Sequence, residues 1–103
     1  MPRADRRPPR LSPKESLILE LLVGRTEMYG LQLVTKSRRR LKRGTIYVTL
    51  ARMEEKGYVT SRLEDPPAEA GGLPRRLYQP TAWGRRVFEA YSQIARLLPE
   101  FAR

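Results

Sequence analysis

The sequence predicts a mainly α fold with one small β-hairpin, and three observations support it. Apolar residues recur every three or four positions in separate stretches, the spacing of helices with one buried face. Residues 58–64 and 75–79 alternate instead, as strands do. The segment between them, 65–74, is rich in Pro, Gly and acidic residues and has the composition of a long, mobile hairpin tip. A chain of 103 residues supports one domain with a modest core.

Taken in order, residues 1–10 hold four Arg, three Pro and one Asp. Such a segment cannot pack a core and is expected to be a disordered basic arm, a solvated tail rather than a groove contact. Ser12-Pro13-Lys14-Glu15 starts a helix: Ser12 caps, Pro13 suits the first helical position, and Glu15 completes a capping box. Leu17, Ile18, Leu21 and Leu22 then share one face, and Gly24 is placed to end the helix in a left-handed cap. The first helix is predicted over 13–23. A second runs from Tyr29 to about Arg38, with Leu31 and Val34 inward and Leu33 beside them.

A third helix is predicted over 44–56. Ile46, Leu50 and Met53 form its buried stripe, Gly57 ends it, and Thr45, Tyr47, Thr49 and Arg52 lie off the stripe. The strand 58–64 pairs antiparallel with 75–79, with Leu77 inward and Arg75 and Arg76 opening the return strand. Thr81 caps a final helix over 82–98, on which Trp83, Val87, Tyr91, Ile94 and Leu98 recur at spacings of four, four, three and four. That stripe is close to a coiled-coil seam. It is expected to pack back on the first helix and, on an adjacent face, to form a dimer seam with Leu17 and Leu21. Pro99 stops this helix at Leu98 and leaves 99–103 as a tail.

The charge balance narrows the function. Lys and Arg number 21 against 11 Asp and Glu, a net charge of +10. That points to a polyanionic partner, nucleic acid first and an anionic membrane surface second. Lys36, Arg38, Arg39, Arg40, Lys42 and Arg43 crowd the turn before the third helix, and no acidic residue occurs between Glu27 and Glu54. With no Cys there is no disulfide framework and no thiolate nucleophile. With no His, the commonest metal ligand and general base are missing too. No apolar run exceeds three residues, so no transmembrane segment is predicted. A cytoplasmic protein with no cofactor and no metal is the expectation, and an enzyme is not. Glu54-Glu55 and Glu64-Asp65 are adjacent pairs that diverge rather than converge on one reacting centre.

Helix, helix, basic turn, helix, hairpin is the order of a winged helix-turn-helix. The domain is expected over 11–81, with a C-terminal dimerisation helix over 82–98. The third helix would enter the major groove of double-stranded DNA while the cations at its start neutralise phosphates. Thr45, Tyr47, Thr49, Arg52, Arg75 and Arg76 join the six cations as candidate DNA contacts. Tyr47 has an alternative placement, half-buried with its ring on the second helix and only its hydroxyl offered to a phosphate.

Several segments resemble the PadR family of transcriptional regulators. They are Leu11-Ser12-Pro13 through Leu22, Met28-Tyr29-Gly30, Gly44-Thr45-Ile46-Tyr47-Val48-Thr49-Leu50 and Met53-Glu54-Glu55-Lys56-Gly57-Tyr58-Val59, then Leu77-Tyr78 followed by Thr81-Ala82-Trp83-Gly84. The resemblance covers about 11–92 and implies a winged-helix homodimer that represses a promoter carrying an inverted repeat and releases it on a signal, such as a small-molecule effector. By the same likeness, Thr45, Tyr47 and Thr49 stand where the family touches DNA. The length resembles the short subfamily, whose drug-sensing members carry a Trp late in the last helix. Here that stretch is Ile94-Ala95-Arg96, so Trp83 is expected to be a core or interface anchor instead. The rival function is RNA binding or architectural nucleic-acid binding without promoter specificity, which the same fold serves.

Overall fold

A computed structural model of the chain describes residues 10–25, 27–65 and 74–99. The elements are α1 (Pro13–Arg25), β1 (Met28–Tyr29), α2 (Gly30–Lys36), α3 (Ile46–Glu55), β2 (Val59–Glu64), β3 (Arg75–Pro80) and α4 (Ala82–Leu97). All strands are antiparallel, with β3 central in the order β1-β3-β2. This is a winged helix-turn-helix: α2 and α3 are the paired helices, and β2 and β3 form the wing.

The core is built from one face of each helix. Ile18, Leu19 and Leu22 of α1 meet Leu33 of α2 and Ile46, Leu50 and Met53 of α3, with Val59 and Tyr78 closing the sheet side and Val87 the α4 side. Leu17, Leu21, Phe88 and Tyr91 are partly buried against it, where α1 and α4 adjoin. Among the described residues no buried side-chain nitrogen or oxygen lacks a hydrogen-bond partner.

Two polar devices lock the ends of the helices. The Ser12 hydroxyl accepts from the Glu15 N–H (3.1 Å), and Glu15 Oε1 accepts from the Ser12 N–H (2.9 Å), a complete capping box. The second oxygen of this buried carboxylate takes the Lys56 ammonium at 2.7 Å, so the start of α1 is tied to the residue that ends α3. Immediately after Lys56 in the chain, the Thr81 N–H donates to the Tyr58 carbonyl (3.0 Å). Its hydroxyl donates to the Gly57 carbonyl and accepts from the Gly84 N–H. Gly57 itself turns the chain out of α3 at φ +80°. Gly84 lies so close to the residue before β2 that a Cβ there would stand 2.0 Å from the Tyr58 carbonyl oxygen.

Several expectations are corrected. Gly24 does not end α1, which continues to Arg25; Gly57 is the described glycine with positive φ. Tyr29 belongs to a strand rather than to the second helix, because its backbone pairs with Leu77 and so completes a third strand. Leu31 faces outward at 45% exposure, and Leu33 takes the inward place with Val34. Leu19, not singled out from the spacing, is fully buried because α1 is covered on two sides, by the sheet and by α4. α3 starts at Ile46 rather than Gly44, after a turn over 43–45. α4 ends at Leu97, with Leu98 as its cap. Trp83 is 39% exposed and so is no core anchor. The basic arm, apart from Arg10, and the hairpin tip, apart from Asp65 and Pro74, lie outside the described residues.

Two of the helical glycines, Gly84 and Gly24, should respond oppositely to a methyl group. Gly84→Ala drives a Cβ into backbone that cannot give way and should cost about 3 kcal/mol or more. Gly24→Ala meets nothing within 4 Å and should add about 0.5–1 kcal/mol. Thermal unfolding of both variants beside the parent checks the pair.

Candidate nucleic-acid interface

The turn from α2 to α3 is assembled around two buried anchors. Ser37 caps α2; its hydroxyl donates to the Val34 carbonyl (2.8 Å) and accepts from the Leu41 N–H (3.0 Å). The Leu41 side chain is 2% exposed and drops into the core. Between and after these anchors, Arg38, Arg39, Arg40, Lys42 and Arg43 all project outward, with Lys36 on the preceding turn. No described carboxylate lies within ion-pair distance of any of the six.

The backbone here is a Schellman ending. The Arg39 N–H reaches back to the Val34 carbonyl and the Arg38 N–H to the Thr35 carbonyl, each at 3.0 Å. Such a geometry needs a left-handed residue, and glycine is the usual one. Arg38 and Arg39 occupy it instead, at φ 56° and 65°. Each costs roughly 1–2 kcal/mol relative to a relaxed backbone.

α3 stands directly behind this turn. Ile46, Leu50 and Met53 bury one side of it. The Tyr47 ring leans back onto α2 and fills the space where a Gly30 Cβ would otherwise be, only 2.6 Å from its ring carbon. It is still 49% exposed. Thr49 is partly buried, and its hydroxyl donates to the Thr45 carbonyl at 3.1 Å. Thr45, Val48, Ala51 and Arg52 are exposed on the side away from the core. Val48, at 54%, was not among the residues the spacing singled out. The signal was present, since Val48 lies two positions after Ile46 and two before Leu50, which puts it opposite the buried stripe.

The wing is joined to β1 by a polar cluster on one face of the sheet. Arg75 sits over the Tyr29 ring, 4.5 Å from its centroid. The Tyr29 hydroxyl donates to Glu64, and that bond holds the phenol above its ordinary pKa. Arg62 grips Glu27 through two bonds (2.9 and 3.1 Å), which lowers the Glu27 carboxyl below its ordinary range. Arg76 is on the opposite face and donates to the Ser61 hydroxyl, which in turn donates to Glu54 of α3. Arg75 and Arg76 therefore divide between the two faces, with Arg76 on the α3 side. Between α2, Tyr47 and the base of the wing lies an open cleft of about 580 Å³, lined among others by Tyr29, Leu31, Lys36, Arg75 and Arg76.

The α4 residues of the apolar stripe are less uniform. Val87 is buried in the core of its own chain, Tyr91 and Ile94 are half-buried, and Trp83 and Leu98 are exposed. Leu97 is 78% exposed beside them. Among the described residues no group of His, Cys, Asp or Glu is arranged to hold a metal ion, and no helix is long and apolar enough to cross a membrane.

Residues 18–90 match the family model described as the transcriptional regulator PadR-like family. Among solved structures, the chain resembles a PadR family transcription regulator from Clostridium difficile R20291, with 28% identity and a TM-score of 0.73 over 86% of this chain and 93% of that one. A PadR-like transcriptional regulator from Bacillus cereus shows 25% identity and a TM-score of 0.70 over 84% of each chain. A PadR family regulator from Eggerthella lenta shows 26% identity and a TM-score of 0.71 over 84% of this chain and 75% of that one. No curated protein matches the chain.

The left-handed arginines give a direct measurement. Arg38→Gly should raise stability by about 1 kcal/mol, because glycine adopts this backbone without strain. Urea unfolding read by circular dichroism checks the sign. A loss of stability would mean that the Arg38 side chain, not its backbone, supports the turn.

Proposed function

The chain belongs to the PadR-like family of transcriptional regulators, and on that footing we propose that it is a sequence-specific DNA-binding repressor that occupies an inverted-repeat operator as a homodimer. The observation that carries this reading is the unpaired cationic turn before α3. Two of its arginines sit in a conformation that glycine would fill at lower cost, so their side chains are retained for what they touch rather than for the fold. Lys36, Arg38, Arg39, Arg40, Lys42 and Arg43 neutralise phosphates on either side of the major groove. α3 enters the groove with Thr45 and Arg52 toward the bases. Tyr47, braced on Gly30, offers its hydroxyl to a phosphate, and Thr49 supports the same edge of the helix. Arg76 meets the backbone from the wing, and Arg75 stays stacked on Tyr29 at its base.

The dimer rests on α4. Trp83, Tyr91, Ile94 and Leu98 leave an apolar stripe only half covered by α1, flanked by Leu17 and Leu21, and a second copy related by a two-fold axis covers it. Val87 supports that stripe from inside its own chain. A two-fold dimer presents two α3 helices in opposite senses, which is the geometry an inverted repeat matches. Bound across a promoter, such a dimer blocks transcription by occupancy.

Two measurements test this. Wild-type protein should sediment as a dimer at micromolar concentration, and Ile94→Asp should shift it to monomer, since the seam would then hold an unpaired charge. Binding to duplex DNA should weaken by about 10³–10⁵-fold between 50 and 200 mM salt if the dimer neutralises ~6–10 phosphates. Equal affinity for a selected palindromic duplex, a random duplex and single-stranded RNA would replace the repressor with an architectural nucleic-acid-binding protein.

A further inference from the structure

Resting on the DNA-binding reading above, we propose that Val48 is a base-reading residue that recognises thymine through its 5-methyl group. Val48 is the most exposed large apolar residue of α3, at 54%. Valine is a poor choice for an exposed helical position, because its branched side chain loses rotamer freedom there. Propensity therefore does not account for it.

Its place does. Ile46, Leu50 and Met53 pin the opposite side of α3 into the core, so Val48 points straight out. Tyr47, the larger neighbour, leans away onto Gly30 and leaves the outward line free. Ala51, one turn further on, is small enough to let a groove edge approach. Val48 also lies in the first turn of α3, the part of a recognition helix that meets base edges.

The surroundings select the partner. The turn that leads into α3 carries the exposed cations, Arg52 is exposed one turn after Val48, and no acidic residue intervenes between Glu27 and Glu54. An apolar tip on a helix with cations before and after it suits a polyanion that carries an apolar feature. In the major groove of DNA that feature is the thymine methyl, and no other standard base presents one.

The test begins with the duplex of highest affinity that the full chain selects from a randomised pool. Each thymine in it is then replaced singly by deoxyuridine, which removes only the methyl group. At one thymine in each half-site the wild-type protein should lose about fourfold in affinity, the worth of one buried methyl. Val48→Ala should bind the parent duplex more weakly and lose less than about 1.5-fold at the same substitution. Its folding is safeguarded because alanine is the better helix former, and circular dichroism verifies it. A selected duplex on which wild type and Val48→Ala respond alike to every deoxyuridine overturns the thymine assignment and leaves the DNA-binding reading standing. A pool that yields no preferred sequence overturns both.

Discussion

Burial of a single stripe on α3 is the constraint from which the rest of the molecule follows. Ile46, Leu50 and Met53 are each at most 1% exposed, and full burial of such side chains is worth roughly 1.5–3 kcal/mol apiece. The stripe settles the rotation of α3 about its own axis, and with it every side chain on the far side. α1 and α2 supply the surface against which it packs, and the sheet closes the remaining flank. The Glu15–Lys56 pair and the Thr81 cluster then converge on the end of α3 at residues 56–58, one tying it to the start of α1 and one to the start of α4.

The basic turn is a second constraint laid over the first. Six cations in a short stretch repel one another and contribute little to folding. They stay in place because Ser37 and Leu41 are sunk into the protein among them, one by hydrogen bonds and one by burial. Charge and anchorage thus alternate along the chain. The strained backbone at Arg38 and Arg39 is the local expense of keeping cations where the helix ending asks for glycine.

Much of this organisation was legible in the residues. The capping box at Ser12 and Glu15, the buried stripe of α3, the stop at Gly57, the wing strands and the Thr81 cap all follow from local rules, and local rules suffice where a pattern involves neighbours in sequence. The misreadings share the opposite property. β1 is invisible because its two residues are a strand only by virtue of β3, far along the chain. Leu31 and Leu33 differ in burial because Leu33 meets the core made by α1 and α3. Gly24 carries a stop signal, but α1 runs one residue past it. Of the candidate interface, the cations and the α3 residues were legible as composition and spacing. The outward position of Val48 follows from its spacing between Ile46 and Leu50, whereas the cleft beside Tyr29 needed the helices to be set against one another.

The pairing of Met28 with Tyr78 has a consequence for the order in which the molecule is made. These partners are fifty positions apart, and between them lie both paired helices and the first wing strand. During synthesis, the segments that form α1, α2 and α3 emerge while β1 still has no partner. Closing so long a loop is entropically slow, and it is rewarded only once β3 arrives. The β1 edge of the sheet therefore waits for its partner after the three helices that precede β3 have been made. A nascent chain halted before residue 80 would hold its helices with an unsatisfied strand edge, the state in which chaperone capture or aggregation competes with folding.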